Sequence, residues 1–286
     1  MFRRRVPIRT TNARSMRKLF IYMVILALCG CEVIKEEERL IPVPVSEGGA
    51  RTHVLVEFTG FLCVNCPKAA ETAEALQNLY GSALIVVSLH PASNPFTQGL
   101  YDYTCPEADS VYQFMNGDAT TPFPIGNIDF TAVDGRYLRD QAEWSFQLSR
   151  AMQDTLCPYL SVTAAADSVT REVHIETFLG HSHAREARLA IWLVEDSVHG
   201  AQLMPDGTAS YDYIHRHMLR TTLNNHPFGT PITLNQSIVR QASTLHVPHT
   251  CNITNCRIIA LLLDNNDYHI LQAHETTLDF NHDYQP

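Results

Sequence analysis

The stretch VLVEFTGFLCVNCPKAAETAEALQNLY, residues 54–80, sets two cysteines in a Cys-x-x-Cys spacing where an apolar run gives way to a helical one. His53–Phe58 is short, apolar and β-branched, which fits a buried strand. From Pro67 onward Ala70, Ala73, Leu76, Leu79 and Tyr80 recur at helical spacing, and Gly81 ends the helix. ALIVVSLH, residues 83–90, reads as a second buried strand, and strand, helix, strand at these lengths predicts a parallel unit with a right-handed crossover. A thiol at a helix start faces unpaired N–H groups and the positive end of the helix dipole, both of which favour the thiolate. Cys63 is then the attacking sulfur, and Cys66, about one turn into the helix, resolves the mixed disulfide. Two other uses of the pair stay open. Zinc would need two further ligands of comparable spacing, and no second Cys-x-x-Cys exists. A permanently oxidised structural disulfide suits an oxidising compartment.

Downstream, residues 91–107 carry Pro91, Pro95, Gly99 and Pro106 and read as an irregular insertion. A short helix is expected at 107–116, a strand in PFPIGNIDF (122–130), a turn at 132–138, and an amphipathic helix over 140–156 built on Trp144, Phe146, Leu148 and Met152. Beyond residue 158 the texture changes to short strands separated by turns: 159–164, 171–178, 187–195, YIHRHMLRTTL (213–223), 257–264 and 268–275. The fold class expected is an α/β domain over 51–158 followed by an all-β sandwich of roughly immunoglobulin size over 159–286.

The N-terminus is an export signal. Arg3, Arg4, Arg5, Arg9, Arg14, Arg17 and Lys18 precede the apolar run LFIYMVILAL. Ten such residues span only about half of a bilayer's hydrocarbon core, which argues against a permanent membrane helix. The run ends in LCGC and resembles the lipobox of bacterial lipoproteins, which implies a signal peptide at 1–30 and a lipid-bearing Cys31. Residues 31–50 read as a tether and linker, with Glu36, Glu37 and Glu38 in a charged stretch that serves equally as a surface-export tether or a solvated spacer. Loss of residues 1–30 leaves 14 Lys and Arg against 30 Asp and Glu, a formal balance of 14 − 30 = −16, so nucleic acid is excluded as a partner. The membrane is met through the lipid alone, on the cell envelope. Six cysteines remain after the signal. Besides Cys63 and Cys66, Cys251 and Cys256 in CNITNC fit a structural clip better than a second redox centre, and Cys105 and Cys157 are candidates to tie the insertion to the last helix of the first domain.

VLVEFTGFLCVNC resembles the first active-site strand of the thioredoxin superfamily. That resemblance implies a buried carboxylate at Glu57, six residues before Cys63, which helps move the resolving thiol's proton; a solvated edge position is the plainer reading of the same residue. It also implies a cis-proline opposite the cysteines, for which Phe123-Pro124 is the better match, with Phe123 and Pro124 orienting an extended substrate. Val64-Asn65 between the cysteines, and Leu62 before them, depart from thioredoxin itself and leave the redox direction open. Taken with FPIGNIDF, RLAIWLVEDSVHGAQLMPDG, YIHRHMLR and ILQAHE, the chain resembles the Bacteroidota lipoproteins related to a 28-kDa outer-membrane protein. This implies an outer-membrane location and a thioredoxin-like domain followed by an immunoglobulin-like one.

The pairs His181/His183 and His215/His217 would each share a strand face, but two nitrogens seldom hold a metal alone, so hydrogen-bonded histidines are expected and no metal site. The function expected is thiol–disulfide exchange on exported proteins, without organic cofactor or metal. The alternative is a surface binding or adhesion lipoprotein whose first domain is a scaffold.

Overall fold

β1 (His53–Phe58) and β2 (Leu84–Leu89) lie parallel, in register from His53 opposite Leu84 to Phe58 opposite Leu89, and helix α1 (Cys66–Tyr80) makes the crossover. The computed structural model describes residues 50–154 and 157–280. The signal peptide, Cys31 and the tether up to residue 49 lie outside the described residues. β3 (Ile125–Ile128) runs antiparallel along the other side of β1, and α2 (Pro106–Phe114) and α3 (Gln141–Ala151) complete this half. The α3 helix stops short of the expected residue 156, passing into a turn through residues 152 and 153; residues 155 and 156 lie outside the described residues.

The remaining strands are β4 (Tyr159–Ala166), β5 (Glu172–Gly180), β6 (Arg185–Glu195), β7 (Val198–Leu203), β8 (Ala209–His215), β9 (Met218–Thr222), β10 (Thr230–Leu234), β11 (Val239–His246), β12 (Cys256–Asp264) and β13 (Ile270–Thr277). The expected single strand at 213–223 is two. His217 adopts φ 56°, a left-handed conformation that breaks the extended chain, so β8 turns away to pair with β7 while β9 enters the main sheet. β7, β10 and β11 were not anticipated: VHGAQL carries a glycine, TPITL a proline, and VRQASTLH faces solvent along most of its length.

β6, β9, β12 and β13 continue the sheet begun by β1–β3, in the order β13-β12-β6-β9-β2-β1-β3, with β10 beside the first half of β6. The result is a mixed α/β sheet core with further antiparallel sheets. The join is narrow: β2 and β9 share the single pair Ser88–Met218, and the Ser88 N–H donates to the His217 carbonyl at 2.7 Å. A second sheet, β11-β5-β4, stacks on β6 and β12, and β7-β8 forms a separate hairpin.

Burial on both faces explains why β6 and β12 read as continuous apolar runs rather than alternating ones. Ala190, Trp192 and Val194 of β6, with Ile259, Leu261 and Leu263 of β12, join β1, β2 and α2 in one core that also contains Cys63 and Cys66. Their neighbours Ile191, Leu193, Ala260 and Leu262 pack on Val162, Ile175 and Leu179 of the three-stranded sheet. The outer face of β1–β2 is covered by α1 and α3 through Leu55, Val86, Ala73, Trp144 and Leu148.

A shared sheet predicts shared cooperativity. Leu261→Ala in the first core and Ile175→Ala in the second, both buried, should each lower the same denaturant transition by about 2–5 kcal/mol. Tryptophan fluorescence and circular dichroism followed together test this; two transitions, one moved by each variant, would show that the halves unfold separately.

Candidate functional site

After β1 the chain crosses Thr59 and Gly60 into a tight turn, in which the Cys63 N–H donates to the Gly60 carbonyl at 3.0 Å and the Cys66 N–H donates to the Cys63 carbonyl at 3.2 Å. A side chain at position 60 would place Cβ 2.5 Å from the Phe96 carbonyl oxygen, so the close passage of the insertion requires glycine there. α1 opens at Cys66 with Pro67 in its first turn and no side-chain cap; the Lys68 and Ala69 N–H groups donate to the Asn65 carbonyl at 3.2 and 3.4 Å, and the positive end of the helix dipole faces the cysteine turn. Cys63 and Cys66 are joined in a disulfide with Cα atoms 5.4 Å apart. Cys63 lies just before the helix terminus, where the sequence places it.

The disulfide is covered. Cys63 is 1% and Cys66 2% exposed, while the flanking Leu62 and Val64 reach 39% and 36%. The cover is the β7-β8 hairpin: Gln202 Nε2 donates to the Cys63 carbonyl at 3.0 Å and the Leu203 N–H to the Phe61 carbonyl at 2.7 Å. The Ala201 N–H donates to Tyr103 Oη at 3.0 Å, and a Cβ on Gly200 would collide with that same tyrosine. Phe123 shares the core around the cysteines, packs on Phe96 and Tyr112, and precedes Pro124 through a cis peptide bond.

Glu57 is buried, not at a solvated edge. It faces Ser88 across the β1–β2 register, and Ser88 Oγ donates to its carboxylate at 2.6 Å. Burial pushes the Glu57 carboxyl up to about 7, against a smaller lowering by the Ser88 hydrogen bond. Glu57, Ser88 and Cys66 line a cavity of about 390 Å³ together with His90, Gln202 and His215. His90 is buried with both ring nitrogens lacking a protein partner, and desolvation holds its pKa down at about 3. His215 is also buried, donates through Nε2 to the Ala201 carbonyl at 3.1 Å, and is lowered to about 4 by burial. The cavity is polar and roomy, and water is the simplest partner for the His90 nitrogens.

Sequence reasoning missed Ser88, His90 and Gln202, and it named His215 as a hydrogen-bonded histidine without placing it at this cavity. His90 was within reach, because it lies two residues beyond Ser88 and so on the same strand face. Gln202 carries no signal, since its contact spans 139 positions. His215 and His217 do not share a face as expected: the break at His217 turns its ring to Arg257 and Asp196, away from the Ala201 contact of His215. His181 and His183 sit in the β5–β6 turn, hydrogen-bonded to each other. Among the described residues one group of three metal-ligating side chains converges, Asp264, Asp267 and His269, and there Asp264 is already paired with Arg185.

The two further disulfides expected from sequence are not formed. Cys105 is a free thiol donating to the Leu219 carbonyl, whereas Cys157 accepts from Gln272 on another strand, so the two sulfurs serve different elements. Cys251 and Cys256 are free thiols, Cys251 accepting from Arg220 Nε at 3.3 Å and Cys256 donating to the Asn252 carbonyl at 3.4 Å.

The titrations set a pH signature. Glu57 binds its proton more tightly folded than unfolded, so its contribution is complete below about pH 4.5 and is lost as pH rises through 7, a swing of roughly 3 kcal/mol. His90 and His215 run the other way: they favour the fold above pH 6.5 and oppose it as pH falls toward 4. Thermal melts should therefore be highest at about pH 6–7. Glu57→Gln should match wild type at pH 4 and exceed it at pH 8; equal melts at pH 8 would mean that the carboxyl is not desolvated.

The profile of a family described as outer membrane protein Omp28 matches residues 114–282, more than half of the chain but downstream of both cysteines. No curated protein sequence matches. Among solved structures, HBP35 of Porphyromonas gingivalis is similar at 15% identity, with a TM-score of 0.60 over 84% of this chain and 80% of that one. A protein from Agrobacterium tumefaciens has 14% identity and a TM-score of 0.48 over 83% and 98%. A domain of the outer membrane lipoprotein Omp28 from Porphyromonas gingivalis has 12% identity and a TM-score of 0.31 over 43% and 90%. At these identities the likeness to HBP35 concerns the fold alone. No helix among the described residues is long and apolar enough to cross a membrane.

Proposed function

Since the chain belongs to the Omp28 outer membrane protein family, we propose that it is a lipoprotein anchored through Cys31 whose Cys63–Cys66 pair carries out thiol–disulfide exchange on exported proteins. In this reading residues 51–158 are a thioredoxin-like unit and residues 159–286 an immunoglobulin-like one that docks partners. The observation that carries the reading is the buried Glu57 carboxyl, which titrates near neutrality in the same cavity as Cys66.

In the reduced protein the Cys63 thiolate, favoured by the positive end of the α1 dipole, attacks one sulfur of a substrate disulfide and releases the other as a thiolate. Glu57 takes the Cys66 proton. The Cys66 thiolate then attacks Cys63, frees the second substrate thiol, and leaves the pair oxidised. Phe123 and Pro124 align the substrate segment, as the thioredoxin resemblance implies. A substrate reaches Cys63 only after the β7-β8 hairpin lifts, which breaks the Gln202 hydrogen bond.

The burial of both cysteines favours a second reading, a surface binding lipoprotein with a structural disulfide. Trapping separates the two. Cys66→Ser isolated from envelopes should carry exported proteins in mixed disulfides through Cys63; recovery without any, together with no turnover of a model disulfide, leaves the scaffold reading. Gln202→Ala removes one hydrogen bond, of about 1 kcal/mol, from the cover. It should speed alkylation of reduced Cys63 roughly fivefold at fixed pH, and an unchanged rate would remove the hairpin as the barrier.

A further inference from the structure

Far from the Cys63 turn in sequence, β11 leads to β12 through residues 247–255. Arg171 clamps this segment with its guanidinium, Nε to the Val247 carbonyl at 3.1 Å and a terminal nitrogen to the Pro248 and Cys251 carbonyls at 2.7 and 2.8 Å. The Asn252 N–H donates to Glu195 at 2.6 Å, and one short helical turn at Ile253–Asn255 returns the chain to Cys256, the first residue of β12. Backbone held at this many points brings the two side chains together. The Cys256 thiol donates to the Asn252 carbonyl at 3.4 Å and lies close enough to Cys251 for each sulfur to influence the other's ionisation.

Arg220 of β9 completes the group. Its Nε lies 3.3 Å from Cys251 Sγ and 3.4 Å from Glu195, and its other nitrogens reach Met218 Sδ at 3.0 Å and Thr250 Oγ1 at 3.2 Å. A planar cation fixed on four sides against one sulfur stabilises the thiolate and not the thiol. The two sulfurs are thereby made unequal. The neighbouring Cys256, with Arg220, brings Cys251 down to about 7, while the neighbouring Cys251 and burial push Cys256 up. Both cysteines are buried, but only beneath the exposed Thr250 and Asn252.

We propose that Cys251 and Cys256 form a second dithiol–disulfide centre, distinct from Cys63–Cys66, in which Cys251 is the attacking sulfur, Arg220 holds its thiolate, and the oxidant is a small organic disulfide. The Cys251 thiolate attacks one sulfur of the incoming disulfide; the Cys251–sulfur bond forms as the disulfide bond breaks, and the other sulfur leaves as a thiolate. Cys256 gives its proton to that thiolate and attacks Cys251, forming the internal disulfide and expelling the second thiolate, which takes up the proton released when Cys251 ionised. The incoming disulfide gains two electrons and two protons, and the pair loses them. The exposure of Thr250 and Asn252 on either side of Cys251 suits a small reactant. None of this depends on the activity proposed for Cys63.

The test uses the full chain carrying Cys63→Ser and Cys66→Ser, reduced, freed of reductant, and exposed to bis(2-hydroxyethyl) disulfide. Acid quenching, alkylation and peptide mass mapping read each thiol. Cys251 and Cys256 should convert to an internal disulfide while Cys105, whose ionisation burial pushes up to about 12, stays reduced. The rate should rise through an inflection near pH 7, a readout that needs no further variant. Cys256→Ser should stop at a mixed disulfide on Cys251. Arg220→Gln should slow the reaction roughly tenfold at pH 7 and much less at pH 9. A pair that oxidises no faster than Cys105, an inflection at the ordinary thiol pKa, or a preformed disulfide that dithiothreitol does not open would each overturn the proposal.

Discussion

Ser88 is where the two halves of this protein become one. Its N–H donates to the His217 carbonyl, the only backbone pairing between β2 and β9, and its hydroxyl donates to Glu57. The first bond continues the sheet from β1–β3 into β6, β12 and β13. The second satisfies a carboxyl that would otherwise be buried without a partner. A serine does both because its side chain and its N–H leave the strand in different directions: one toward the α1 face, the other along the sheet. An apolar residue here would preserve the pairing and strand the carboxyl, and a bulkier polar one would enter the cavity between Cys66 and His90.

The continuous sheet also explains why the cover over the cysteines comes from the far half of the chain. Once β9 is docked on β2, the preceding β8 and its partner β7 emerge beside the Cys63 turn, with His217 providing the bend. Gln202 then meets the Cys63 carbonyl, and Ala201 meets Tyr103 of the insertion. β9 has a further consequence. Met218 packs with Phe61 and Tyr103 near the first cysteine pair, and Arg220, two residues on along the strand, touches Cys251 of the second. Three residues of one strand, Met218 to Arg220, thus reach from one sulfur centre to the other.

What could be read in the sequence was local. The β1-α1-β2 unit is legible because strand, cysteine turn and helix follow one another with their periods intact, and Cys63 falls at the helix start as that reading requires. Glu57 was legible as a candidate but not its environment, since burial is a property of what α1 and the hairpin place over it. The separation of β8 from β9 was hidden because a histidine at positive φ has no sequence mark comparable to glycine's. β10 and β11 were hidden because edge strands carry polar residues and proline without penalty. The chemistry around Cys251 was hidden for the opposite reason: its spacing is plain, but the cation that separates it from a simple clip is 31 positions away.

Two features of the Cys63 site pull in opposite directions, and their magnitudes decide between them. Burial of both sulfurs is what an inert staple needs, yet a staple needs no carboxyl beneath it. Above neutral pH the desolvated Glu57 costs the fold roughly 3 kcal/mol, a large part of the 5–15 kcal/mol that a domain typically has. Glutamine would retain the shape and the hydrogen bond to Ser88 without that cost. A buried carboxyl that is expensive in its charged form and shares a cavity with Cys66 is what the proposed proton transfer calls for, and packing alone does not require it. The cover is fastened at three points, Gln202 to the Cys63 carbonyl, Leu203 to the Phe61 carbonyl and Ala201 to Tyr103, each a hydrogen bond of about 1 kcal/mol. A hairpin held by a few hydrogen bonds over a costly buried acid fits the proposed exchange centre, whose Cys63 becomes reachable when those bonds open.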